Sequence, residues 1–165
     1  MPSKIKNYAS PMGEILLAGM GDALTGLWFA EQRFYADSLP PDSVPGELPV
    51  FDRTRQWLDL YFAGIRPDFT PLLAPIGTPF RLAVWELLRE IPWGAVVSYG
   101  TLAARVAERT GKAASPRAVG GAVAHNPISL IIPCHRVIGA DGSLTGYAGG
   151  LSRRRSLLEL ERGAL

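Results

Sequence analysis

The chain has one cysteine, Cys134, and two histidines, His125 and His135, among 165 residues. A single thiol excludes an internal disulfide and any zinc site built from several thiolates. With so few ligating side chains no structural metal is expected, and an unpaired thiol favours a reducing compartment. Long apolar runs are missing. Glu14-Ile15-Leu16-Leu17-Ala18 is too short for a signal-peptide core or a membrane span, so the chain reads as soluble and cytoplasmic, with no membrane partner. There is no P-loop and no dinucleotide fingerprint, and no cofactor is expected. Repeats and low-complexity tracts are absent. With 47% hydrophobic and 19% charged residues, the composition is that of a globular protein of one large or two small domains.

Net charge is also small, +2. Its distribution says more. The acids are frequent in the first half, whereas the stretch from Tyr99 to Gly163 carries Arg105, Arg109, Lys112, Arg117, Arg136, Arg153, Arg154, Arg155 and Arg162. A local basic face suffices for phosphate contacts. Arg153-Arg154-Arg155 by itself reads as a solvated helix start.

The first third reads as strands and turns. Ser10-Pro11-Met12-Gly13 is a turn, and Glu14–Ala18 and Leu24–Phe29 read as strands split by Gly21-Asp22. The prolines at 40, 41, 45 and 49 make an irregular loop, after which Phe51 to Phe62 has the spacing of a helix. A domain boundary is placed near Ile76-Gly77, giving domains at 1–77 and 78–165.

The second part is helical. Thr78 is a good N-cap followed by Pro79, and Phe80, Ala83, Val84, Leu87, Leu88 and Ile91 form one broad buried face that Pro92-Trp93-Gly94 ends. A second helix starts at Ser98-Tyr99-Gly100-Thr101, with Leu102 and Val106 inward. Ser115-Pro116 starts a third, running to about Ala124. Two short helices joined by a glycine-containing loop have the form of a helix-turn-helix, as any helical hairpin does.

In the third helix Arg117, Gly120, Gly121 and Ala124 share one face, and Val119, Ala122 and Val123 point toward the core. Two glycines inside a helix cost about 1 kcal/mol each relative to alanine. Either another helix packs very closely there or an external surface does. A nearly side-chain-free face laid into a DNA groove reads no sequence and binds through phosphates and shape.

Cys134 lies in Ile131-Ile132-Pro133-Cys134-His135-Arg136-Val137. A lone cysteine in an apolar run reads either as a small buried hydrophobe or as a nucleophile. The adjacent imidazole supports the second reading, because the thiolate is the reactive form and His135 can take the proton. If this segment is a strand, the two side chains point apart. Glu161 falls three and four residues after Leu158 and Leu157, on the inward stripe of the last helix, and a carboxylate there needs a partner. Glu159 does not share that stripe. Asn126 sits between the third helix and this segment, where its amide can bond backbone on both sides.

Pro-Cys-His-Arg-Val, together with Pro116-Arg117-Ala118-Val119-Gly120-Gly121-Ala122 and Thr145-Gly146-Tyr147-Ala148-Gly149-Gly150, resembles the O6-alkylguanine-DNA alkyltransferases. The likeness extends over nearly the whole chain and is strongest from Thr78 to Glu161. It implies an α/β ribonuclease-H-like N-terminal domain and a mainly α C-terminal domain with a helix-turn-helix. It implies no cofactor and no metal. Its partner would be double-stranded DNA carrying O6-alkylguanine, bound in the minor groove with little sequence preference, and activity on O4-alkylthymine is left open. The protein would be a monomer in solution, with cooperative assembly on DNA left open.

The same resemblance implies the roles of individual residues. Cys134 would accept the alkyl group irreversibly, with His135 as base through a bridging water and Glu161 orienting the imidazole. Asn126 would link the recognition helix to the cysteine turn. Arg117 would fill the gap left by a flipped-out nucleotide. Tyr99 would rotate the target phosphate and help protonate the leaving guanine. Ser115, Gly120, Gly121 and Ala124 would lie against DNA. Tyr147, Ala148, Val137 and Val123 would form the guanine pocket, with Ala148 standing where some relatives carry serine. A non-catalytic damage sensor of the alkyltransferase-like kind is the rival reading, and the cysteine at the acceptor position argues against it.

Overall fold

The structure is a computed structural model that describes residues 2–139 and 151–163. It divides into two compact units, one of Met1–Ile76 with Pro127–Ser129 and one of Gly77–Asn126 with Leu130–Leu165. The three residues Pro127–Ser129 thus join the first unit, although the sequence reading set them within the second domain.

In the first unit, β1 (Lys4–Ser10), β2 (Gly13–Met20), β3 (Ala23–Phe29) and β4 (Val44–Pro45) form one sheet in the order β3-β2-β1-β4. β1 and β3 pair antiparallel with β2, and β4 adds in parallel beside β1, so the sheet is mixed. β1 is the strand the sequence hid: its residues KIKNYAS are mostly polar and only half-buried. The central β2 is buried over five successive residues, Ile15 to Gly19, because both faces of the sheet are covered. Helix α1 (Pro49–Phe62), with Phe51, Leu58 and Tyr61 buried, packs on the strands. A second cluster is formed by Leu16, Ala18 and Trp28, with Ile5, Ala36 and Leu39 against it. Gly26 belongs to it by necessity, because a Cβ there would lie 2.2 Å from the Trp28 ring. Pro127–Ser129 closes the edge: Leu27 N donates to Pro127 O at 2.7 Å and Ser129 N to Leu27 O at 2.9 Å.

The second unit contains α2 (Pro79–Leu88), β5 (Val97–Ser98), α3 (Tyr99–Thr110), α4 (Pro116–Ala124), a 3-10 turn (Cys134–Arg136), β6 (Val137–Ile138) and α5 (Leu151–Glu161). The helix starts follow short-range chemistry. Thr78, Ser98 and Ser115 each cap a helix, accepting from the backbone N–H of Arg81, Thr101 and Ala118 respectively. Gly111 ends α3 at φ +72, a left-handed position that suits glycine. Leu102 and Val106 of α3 and Val119, Ala122 and Val123 of α4 are buried. Trp85 Nε1 donates to Ala122 O at 2.8 Å, which ties α2 to α4.

Two sequence expectations fail in α2. Phe80 is 37% exposed rather than core, because the first turn of the helix stands outside the packed layer. Trp85 is buried in its place. The helix also ends at Leu88 with Arg89 as its C-cap, before Pro92-Trp93-Gly94, so Ile91 is buried from a turn rather than from the helix. Among the described residues no helix is long and apolar enough to cross a membrane.

Candidate functional site

The chain enters the cysteine segment under backbone constraint. Leu130 is buried and takes φ +71, a conformation costly for a branched residue and kept only where its surroundings enforce it. Pro133 has φ −81 and ψ 68, and Cys134 N donates to Ile132 O at 2.8 Å, so the chain reverses in an inverse γ-turn. The same carbonyl accepts Asn126 Nδ2 at 2.8 Å. Asn126 itself follows α4 and its backbone N–H donates to Val123 O at 3.2 Å. The Asn126 side-chain amide thus ties the residue that follows α4 to the turn that presents the thiol. The strain at Leu130 and the turn at Pro133 carry no sequence signal beyond the proline.

From Cys134 to Arg136 the backbone is a 3-10 turn and not a strand. With three residues per turn, successive side chains diverge by roughly a third of a circle. Cys134 and His135 are both buried, and so is Arg136. Immediately after the turn, Val97 and Ser98 of β5 pair in parallel with Val137 and Ile138 of β6. This short ladder sets the start of α3 beside the strand that follows the cysteine turn.

Glu161 on α5 is the hub. Its Oε2 meets His135 Nε2, and its Oε1 accepts Arg136 Nε at 2.8 Å and Gly94 N at 3.3 Å. Arg136 Nη1 also donates to Ile91 O at 2.7 Å. Burial works against ionising Glu161, but the His135 hydrogen bond and the Arg136 guanidinium outweigh it and lower its pKa to about 2. His135 is pushed the other way: full burial lowers its pKa below the ordinary value, against the pull of Glu161. The carboxylate is thus charged, with Arg136 as its counter-ion, and the imidazole is neutral. A neutral imidazole whose Nε2 faces a carboxylate carries its proton there, which leaves Nδ1 as the basic nitrogen. That is the state a base for the thiol requires.

The helix-turn-helix side presents a second surface. Arg117, Ser115 and Gly121 are exposed, and Gly120, Ala124 and Tyr99 are half-buried. Among the described residues, a Cβ on Gly121 would meet nothing within 4 Å, and one on Gly120 would meet the Tyr99 ring at 3.8 Å. Gly120 thus faces Tyr99, the first residue of α3, at ordinary van der Waals distance and Gly121 faces open space among the described residues, so neither glycine is demanded by close helix packing. Val123 and Val137 are buried, Val123 on the side of α4 away from that face. Tyr147 and Ala148 lie outside the described residues.

Arg154 corrects the sequence reading. Within the run Arg153-Arg154-Arg155 it is fully buried, and its Nη2 donates to Tyr99 Oη at 3.3 Å. The two neighbouring arginines are half-buried and exposed. Among the described residues, no group of three or more His, Cys, Asp or Glu could hold a metal ion.

Comparison with known proteins agrees with this geometry. Residues 4–75 match the 6-O-methylguanine DNA methyltransferase, ribonuclease-like domain, and residues 79–163 match the 6-O-methylguanine DNA methyltransferase, DNA binding domain. A methylated-DNA--protein-cysteine methyltransferase of Haemophilus influenzae is 42% identical over 156 residues, covering 94% of this chain and 84% of that protein. Its counterpart in Mycobacterium bovis is 44% identical over 153 residues, covering 93% and 88%. The crystal structure of Mycobacterium tuberculosis OGT in complex with DNA is similar with a TM-score of 0.82 at 41% identity, over 99% of this chain and 94% of that one. An α/β ribonuclease-like unit, a helical DNA-binding unit and a cysteine set beside a His–Glu–Arg cluster place this chain in the 6-O-methylguanine DNA methyltransferase family.

Proposed function

We propose that this chain repairs alkylated DNA by direct reversal: it moves the alkyl group from O6 of guanine to Cys134, once per molecule. The observation that carries the reading is the buried Cys134–His135 turn braced by the Glu161–Arg136 pair. It matters because a neutral imidazole, oriented by a fixed carboxylate, can take the thiol proton.

The displacement balances simply. Sγ forms a bond to the alkyl carbon as the carbon–O6 bond breaks. The electron pair passes to guanine, which takes up a proton, while the thiol proton goes to His135. The thioether that results has no hydrolytic exit, so the protein is consumed.

The target carbon lies inside the base stack, so the nucleotide must leave the duplex. The exposed face of α4 supports minor-groove binding, with Arg117 entering the stack and Gly120, Gly121, Ala124 and Ser115 against the backbone. Tyr99, at the start of α3, turns the target phosphate and gives a proton to the leaving guanine. Tyr147, Ala148, Val123 and Val137 line the guanine pocket. The protein acts as a monomer in the cytoplasm, where a lone thiol stays reduced.

Cys134→Ala tests the division of labour. It should abolish transfer and retain affinity for duplex DNA containing O6-methylguanine. Loss of binding in a folded variant would refute the separation of the groove-binding face from the acceptor.

A further inference from the structure

The segment that leads to the acceptor cysteine starts on the sheet of the first unit. Leu27 of β3 holds it with two main-chain bonds, Leu27 N to Pro127 O at 2.7 Å and Ser129 N to Leu27 O at 2.9 Å, and the pairing is a single parallel bridge between Leu27 and Ile128. In a parallel ladder the next rung would draw on the N–H two residues further along β3, that of Phe29. That N–H donates to Gln32 Oε1 at 2.9 Å, and the same oxygen accepts the Ser129 hydroxyl at 3.2 Å. Gln32 and Ser129 are both buried. One carboxamide oxygen thus takes a donor from the end of the strand and another from the last residue of the docked segment, which uses both of its lone pairs.

The chain leaves the sheet at this point. Leu130 takes φ +71, and the Ile132 carbonyl then accepts both Asn126 Nδ2 and Cys134 N at 2.8 Å. Leu130 and Ile131 alone separate Ser129 from that carbonyl, so a shift at Ser129 has little slack in which to fade before it reaches the thiol. On the other flank α4 is anchored separately, by Trp85 Nε1 on Ala122 O.

We infer that Gln32 is a positioning residue for alkyl transfer: through the Ser129 hydroxyl it fixes the point at which the chain departs toward Cys134, and so the direction from which Sγ attacks. The inference rests on the alkyl-transfer reading above. Displacement at carbon requires the sulfur in line with the breaking bond, and a misplacement of about 1 Å can cost on the order of 100-fold in rate. Gln32 acts through Ser129 and the strained Leu130, not on the reacting atoms. Its loss should therefore slow the transfer itself and spare the binding of DNA by α4.

The test separates positioning from stability. Ser129→Ala removes the hydroxyl donor and leaves Gln32 on Phe29; Gln32→Met removes the acceptor with little change of volume. Thr54→Val is the control, because it removes a buried hydrogen bond within α1, Thr54 Oγ1 to Val50 O at 2.7 Å. Transfer to Cys134 from saturating duplex DNA carrying O6-methylguanine is followed by intact mass, and affinity for the undamaged duplex by fluorescence anisotropy, at a temperature where every variant is folded by circular dichroism. Ser129→Ala and Gln32→Met should each lower the saturating rate about threefold or more and leave the affinity within about twofold of the parent. Combined, they should lose no more than about twofold beyond the slower single variant, since they break one interaction. Thr54→Val should keep the parent's rate within about twofold. A smaller rate loss in Ser129→Ala, losses that multiply in the double variant, an affinity loss as large as the rate loss, or the same rate loss in Thr54→Val would each overturn the assignment. Should Gln32→Met not fold, Ser129→Ala against Thr54→Val decides alone. A parent protein that never methylates Cys134 from DNA would instead sink the alkyl-transfer reading itself.

Discussion

Arg136 and Glu161 form a buried ion pair, Nε to Oε1 at 2.8 Å, that holds the carboxylate whose other oxygen faces His135. The pair joins the cysteine turn to the last helix. It also explains how a carboxylate can be charged in the interior beside an uncharged imidazole: its counter-ion is Arg136, so His135 need not be protonated.

Breaking that pair from the arginine side leaves a buried charge uncompensated. Arg136→Met should therefore cost roughly 3–5 kcal/mol of stability, read from urea denaturation, and should slow methyl transfer as well. A loss below about 1 kcal/mol would show that Glu161 finds its compensation elsewhere.

The same carboxylate sets a pH dependence. Its folded pKa, about 2, lies below its ordinary value of 4.5, so its contribution is complete above pH 4.5 and is lost as pH falls toward 2. In Glu161→Gln the stability lost between pH 4.5 and pH 2 should be smaller than in the parent, by on the order of 3 kcal/mol. Equal acid sensitivity in both proteins would place the charge of Glu161 in doubt.

Gly121 separates folding from binding. A methyl there meets nothing within 4 Å among the described residues, so Gly121→Ala should stabilise the fold by up to about 1 kcal/mol through helix propensity. It should nonetheless weaken binding to duplex DNA, measured by fluorescence anisotropy, because the added methyl projects from the face proposed to enter the groove. A variant that is more stable and binds as well as the parent would remove this face from the interface.

What the sequence discloses and what it hides divide along physical lines. The caps Thr78, Ser98 and Ser115 are legible because capping is a matter of three or four consecutive residues. Glu161 is legible from its spacing to Leu157 and Leu158, and Asn126 from its place between a helix and the cysteine turn. Arg154 is not: three arginines in a row read as solvated, and only the packing of α5 decides which one turns inward. Phe80 fails for the converse reason, since helical periodicity gives a face but not how far along the helix that face stays covered. The inverse γ-turn at Pro133 and the left-handed Leu130 depend on long-range contacts that no local pattern announces.

The central claim is tested most directly by intact mass after the protein is mixed with duplex DNA carrying one O6-methylguanine. The account predicts a gain of one methyl group, mapped to Cys134 and ending at one equivalent per protein. An unchanged mass, with either tight binding alone or repeated turnover, would contradict it.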